Sequence, residues 1–278
     1  MGLKAILQKN VAAGKYAALQ ANIQLIKDKK STKDLFMAYS LLYKDFKETD
    51  TVDYGEGDDS TTQYLKHHRA QVLEMARIFL LTEVLEADAP FFRDKVANII
   101  QVADTSELAT FLRFLPLLPE KEHFKFTAVE ALRTNISILF DAIALENPYP
   151  AAHFNDQQWN QMYLKAAFMQ RDLSLIMDVD GRANKDLARI ISDYAHERWA
   201  ASRSIDPMFW RPVAPFLEGV LLEDMARLLD SEDVVERRAG ALSCHHANTP
   251  SAKALLQGHE ALVAAIEEEK LTWNTLKQ

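Results

Sequence analysis

Cysteine, glycine and proline are all scarce in this sequence, and each scarcity excludes something. The single cysteine, Cys244, permits no internal disulfide and no all-cysteine metal site, and it suits a reducing compartment. Eight glycines and nine prolines in 278 residues leave out the turn-rich chemistry of a β-sandwich or barrel. No run reaches the ~18 continuous apolar residues of a membrane span. The opening stretch MGLKAILQKNVAAGKYAALQ has no apolar signal-peptide core, because Lys4, Lys9 and Lys15 interrupt it. Its Met-Gly start lacks the serine or threonine of a myristoylation signal. Basic charge is also in deficit: the formal balance of -8 at pH 7 argues against a nucleic-acid partner. A cytoplasmic protein is expected, with peripheral contact to the inner membrane left open.

What the chain does have is helical periodicity almost throughout. Residues 3 to 44 read as about three helices, with Ser31 or Thr32 as a cap. KETDTVDYGEGDDSTTQ follows, acidic and poor in apolar residues, and reads as an exposed loop near 48–61. A long amphipathic helix is expected from about Thr62 to Glu86, and KVANIIQVAD forms another. FTAVEALRTNISILFDAIALENPYP reads as nearly continuous helix, stopped by Asn147-Pro148 and Pro150. Asn155 and Gln158 have capping-box spacing. Asp206-Pro207 reads as an N-cap followed by proline at the first helical position. Helix-turn-helix units recur loosely, without a strict period. The expected architecture is all-α, one domain over 1–278, built as an irregular α-solenoid (HEAT-like) superhelix of short antiparallel helices.

The chain carries several motifs that resemble chemistry and fail on spacing. DVDGRAN, from Asp178 to Asn184, suggests a calcium loop. With Gly181 at position 6, however, Ile176 and Leu187 would have to ligate at positions 1 and 12. A turn is the simpler reading, with Gly181 at positive φ and Asn184 capping the next helix. Cys244, His245 and His246 point about 100° apart around a helix, as do His67 and His68, so neither set converges on an ion. His196-Glu197 starts a zinc-protease pattern whose second histidine is Ala200. No phosphate loop, dinucleotide fingerprint or nucleophile elbow is present. No metal, cofactor or catalytic residue is assigned.

Two helices place polar residues among apolar ones. In NDQQWNQMYLKAAFMQ, the main arc is Trp159, Met162, Tyr163, Ala166 and Ala167, and Asn160 falls inside an apolar sector. In the helix beginning near Asn184, Leu187, Ile190, Ile191, Tyr194 and Ala201 form one arc, and Ala188, Ala195 and Trp199 extend it. Arg198 falls near its centre and is expected to be buried against a carboxylate or several backbone carbonyls. His196 falls on the far face with Arg189, Asp193 and Arg203, and is expected to be solvated. Asn160, Arg198, Trp159, Tyr194, Trp199 and Trp210 therefore form either a buried polar network that ties helices together or a pocket for a polar or aromatic ligand.

NPYPAAHFNDQQWNQMYLKAAF, DVDGRANKDLARIISDYAHERWAASRSIDPMFWRPVAPF and VVERRAGALS also carry a resemblance. They look like signature blocks of the EboA family of bacterial proteins. The likeness covers about Leu112 to Leu256 well and the N-terminal hundred residues poorly. Asp178-Val179-Asp180 stands where the family pattern has glycine-leucine-aspartate, and Ser202 where it has glycine. The resemblance implies a helical protein encoded beside a UbiA-like prenyltransferase and other enzymes, in a cluster that makes or exports secondary-metabolite precursors. It transfers no catalytic residues. The leading expectation is a non-enzymatic scaffold or adaptor, with the enzymes or membrane protein of that cluster as partners. The alternative is a small-molecule-binding protein or cryptic enzyme acting on a prenylated, polyol or aromatic metabolite.

Overall fold

The computed structural model describes residues 2–47 and 51–278, and every regular element among them is helical. The chain forms two compact units, 1–143 and 144–278.

The first unit is organised around one long helix. Its elements are α1 (Leu3–Asn10), α2 (Ala13–Lys29), α3 (Thr32–Leu41), α4 (Ser60–His67), α5 (Val72–Val102), α6 (Thr105–Phe114) and α7 (Lys125–Ala131), and α8 (Ser137–Ala144) runs to the boundary. α1, α2, α3, α6 and α7 all pack on α5, whose buried face includes Met75, Phe79, Leu80, Val84 and Ile99. Ser31 caps α3, its side chain accepting from the Asp34 amide at 3.1 Å. Arg69 takes a left-handed φ of 49°, so the helix expected from Thr62 starts afresh at Val72. α5 then bends at Asp88, two residues before Pro90, because proline can neither donate to the preceding turn nor clear its carbonyl. The expected run through FTAVEALRTNISILF is also broken: the Thr134 hydroxyl accepts from the Ile136 amide at 3.1 Å, a local bond that competes with helix continuation.

Of the expected acidic loop, residues 48–50 lie outside the described residues, and 51–59 carry no helix. The Asn10 side chain pairs with both backbone groups of Asp53 at 2.8 Å, and Lys9 reaches the Asp53 carboxylate at 2.5 Å. This part of the loop is thereby tied to the end of α1.

The second unit holds α9 (Tyr149–His153), α10 (Asp156–Phe168), α11 (Lys185–Ala200), a ten-residue 3-10 segment (Pro207–Phe216), α12 (Val220–Leu229), α13 (Val234–Ala247), α14 (Pro250–Leu255) and α15 (Glu260–Glu267). The capping box of α10 is formed as the spacing predicts, by Asn155 and Gln158. Asp206 caps the segment after it, accepting from the Met208 amide at 3.0 Å. That segment stays 3-10 because Pro212 and Pro215 interrupt any α-helical ladder. It is the hub of the unit, with α11 and α13 packed against it and α12 packed on α13.

Candidate functional site

The six residues singled out by the sequence all lie on α10, α11 and the 3-10 segment, and they do not meet at one point. Trp159 is fully buried, with the Arg182 guanidinium 5.0 Å from its ring centre and no acceptor for its Nε1. Asn160 is 4% exposed. It exchanges two amide hydrogen bonds with Asn184, at 3.0 and 2.8 Å. The same Asn184 oxygen accepts from the Leu187 amide at 2.9 Å, so Asn160 steadies the N-cap of α11. Across the seam, the Tyr163 hydroxyl donates to the Met208 carbonyl at 3.1 Å. Phe209 is gripped between Tyr163, stacked at 5.4 Å, and Tyr194, edge-on at 5.5 Å. Trp210, 1% exposed, stacks on Trp199 at 5.7 Å.

Arg198 corrects the sequence expectation. It is half-buried and bonds a single backbone carbonyl, that of Ser204, through Nε at 3.1 Å and Nη2 at 2.8 Å. The residues of α11 that are buried are Leu187, Ala188, Ile191, Ser192 and Ala195, a face centred about 50° away from Arg198 at 100° per residue. The helical wheel missed this phase because it counted Ser192 as polar and Ile190 and Tyr194 as core, whereas these last two are only half-buried. The role expected of Arg198 falls to two other arginines. Arg182 donates to the carbonyls of Pro150, Ala151 and Phe154 at 2.7 to 3.3 Å, and so caps the end of α9. Arg77, 3% exposed, lies among Glu107 at 3.8 Å, Ser106 at 3.2 Å and Thr110 at 3.5 Å. A sequence signal existed for Arg77: it is the one charge between Met75 and Leu81.

Ser192 is buried because of a residue the sequence reading passed over. Asp224 on α12 is 2% exposed. It accepts from the Ser192 hydroxyl at 2.6 Å and meets His196 Nε2 at 2.6 Å. His196 is 51% exposed, as expected for the far face, yet it is tied to a buried carboxylate rather than simply solvated. Serine and histidine both bind the aspartate and not each other, so the trio lacks the relay in which histidine takes a proton from serine. It fastens α11 to α12. Asp224 sits between Leu221 and Leu228 on the apolar stripe of its helix, and that position was legible in the sequence.

Both departures from the glycine pattern lie at left-handed backbone. Ser202 has φ 53° and Asp178 φ 58°. Ser202 closes α11, with its amide bonded to the Trp199 carbonyl and the Arg203 amide to the Arg198 carbonyl, both at 2.9 Å. Gly181 does not take the positive φ expected of it. A Cβ there would stand 2.3 Å from an Asp178 carboxylate oxygen, so a side chain at 181 would push that carboxylate aside.

A family model described as metabolite traffic protein EboA matches residues 2–214. The chain belongs to the EboA family. The match takes in the N-terminal hundred residues, which the likeness was expected to cover poorly, and stops inside the 3-10 segment, before VVERRAGALS. No curated protein and no solved structure matches the chain. The Trp199 end of the EboA-matched seam opens outward. There Trp199, Ser202, Arg203, Arg227, Asp230 and Glu236 line an open cleft of about 650 Å³, and the Arg227 guanidinium stands 4.2 Å from the Trp199 ring centre. Among the described residues no cluster of three or more His, Cys, Asp or Glu could hold a metal ion, and no helix is long and apolar enough to cross a membrane.

Proposed function

We propose that this EboA-family protein acts in metabolite traffic as a non-enzymatic helical adaptor, holding cluster-encoded enzymes or their membrane protein together. The observation that supports this is how the signature residues are used. Asn160 is paired with Asn184 at one end of α11, while Arg198 and Trp199 bond and stack at the other. The two ends are about 21 Å apart by helical rise. A ligand pocket would need these groups to converge, and each is instead taken up by an internal contact. A single domain, a HEAT-like superhelix and a cytoplasmic location belong to the same proposal, with peripheral contact to the inner membrane left open. A tagged protein pulled down from native cells should recover the cluster-encoded proteins. Repeated recovery of none, with those proteins shown to be expressed, overturns the adaptor reading.

The second reading is small-molecule binding or a cryptic enzyme. The open cleft beside Trp199 favours it, because Arg203 and Arg227 both border that space.

A further inference from the structure

A different cleft lies on the 3-10 segment itself, away from Trp199. Its volume is about 340 Å³, close to the lower bound of ~300 Å³ for small-molecule sites. Pro212, Pro215 and Trp273 supply apolar walls, while Asp180, Arg211 and His246 supply polar groups. Asp180, Arg211 and the stretch around Trp273 are each held in place, while His246 is exposed. The turn that carries Asp180 is closed by the Arg182 amide, which donates to the Asp178 carbonyl at 3.1 Å. Arg211 meets Asp180 in a two-pronged fork, Nε to Oδ1 at 2.9 Å and Nη2 to Oδ2 at 2.6 Å. The stretch around Trp273 is clasped by Arg238, whose Nη1 donates to the carbonyls of Leu276 at 3.2 Å and Gln278 at 2.6 Å. Lys277 adds an ion pair to Asp206 at 2.8 Å.

The charge of the cleft is balanced within itself. Arg211 is neutralised by Asp180, and the fork leaves Arg211 Nη1 free of any carboxylate. The His246 imidazole is held below the ordinary histidine value, first by partial burial and then by the neighbouring His245. It is therefore neutral at pH 7, with one nitrogen able to accept and one able to donate. An ionised ligand would lose its hydration here without gaining an unopposed counter-charge. A flat ring can lie against Trp273 and the two prolines, and a hydroxyl on that ring can exchange hydrogen bonds with the imidazole and the fork.

We propose that the cleft between the 3-10 segment and Trp273 binds a small, uncharged, planar aromatic molecule bearing a hydroxyl group. This goes beyond the adaptor reading and does not require it. His246 and Trp273 lie outside the span matched by the family model, so the binding would depend on residues beyond that match.

Titration calorimetry of the full chain with 2-naphthol, 2-naphthoate and 2-naphthylmethylammonium tests the proposal. The expected result is saturable binding of 2-naphthol at one per chain, with both charged analogues at least about tenfold weaker, a gap of ~1.4 kcal/mol. Ala183 also lines the cleft and is only half-buried, so Ala183→Leu should fill the space, weaken 2-naphthol about tenfold or more, and leave the melting temperature unchanged. Trp273→Leu should weaken it likewise. Absence of saturable 2-naphthol binding at millimolar concentration overturns the proposal. So does equal or tighter binding of a charged analogue, or binding that a folded Ala183→Leu protein retains in full.

Discussion

Replacing Asp224 should do more damage than replacing either of its partners. The carboxylate is 2% exposed and takes two short bonds, from Ser192 and His196, both at 2.6 Å. Asp224→Ala removes two charge-assisted bonds and leaves the Ser192 hydroxyl, on a residue 6% exposed, without an acceptor. An unpaired buried polar group costs about 1–3 kcal/mol, and each bond to a charged group nets about 1.5–3 kcal/mol. Ser192 can turn back to a carbonyl of its own helix and recover part of this. The expected loss is about 3 kcal/mol. His196→Ala should cost about 1 kcal/mol, since the ring is 51% exposed and water can enter where it stood. Asp224→Asn keeps the shape and one acceptor, and should also cost about 1 kcal/mol. Urea melts followed by circular dichroism, compared at constant slope, give these differences. A double-mutant cycle between His196 and Asp224 should return a coupling of about 1 kcal/mol. The reasoning fails if Asp224→Ala lies within about 0.5 kcal/mol of wild type, the range of ordinary surface changes.

Three further outcomes are expected. Ser202→Gly should stabilise the protein by about 0.5–1 kcal/mol in the same melts, because glycine takes the left-handed φ of 53° without a Cβ penalty. Arg182→Ala should cost about 3 kcal/mol and Arg198→Ala about 1 kcal/mol, since the first caps α9 through three carbonyls and the second holds one; thermal melts rank the two. Burial pushes the Cys244 thiol up to about 12, and burial also raises Tyr39 and Tyr163. The folded state then keeps protons that the unfolded chain releases, so stability should fall as pH rises above about 9. The native thiol should be silent to a thiol-specific reagent at pH 8 and react on unfolding.

Caps and breakers were the most legible part of the sequence. Ser31, Asn155 with Gln158, and Asn184 each cap the helix their spacing predicts, because a cap is a contact within a few residues. Asn160 was legible for a similar reason, as the one amide in an apolar sector. The long helices were overdrawn where backbone chemistry intervenes, at Arg69 and Thr134, since neither carries a strong breaker at the break itself; the break expected after Glu86 is instead a bend at Asp88 within α5. Arg198 was misplaced because helical phase rests on which polar residues are taken as exposed, and Ser192 is buried by a carboxylate 32 residues away. The Asp180–Arg211–His246–Trp273 cleft could not be read at all, as it joins four segments spread over some ninety residues.

The central claim is that the EboA signature residues on α10 and α11 build an adaptor's framework and do not form a reaction site. The measurement that tests it most directly is metabolite output in a deletion strain complemented with Arg198→Ala, Trp199→Ala or Asn160→Ala, each scored against its own folded, soluble level. Output should track the amount of folded protein, with one proportionality for all three variants and wild type. A variant that is fully folded, accumulates normally and still abolishes output would contradict the claim.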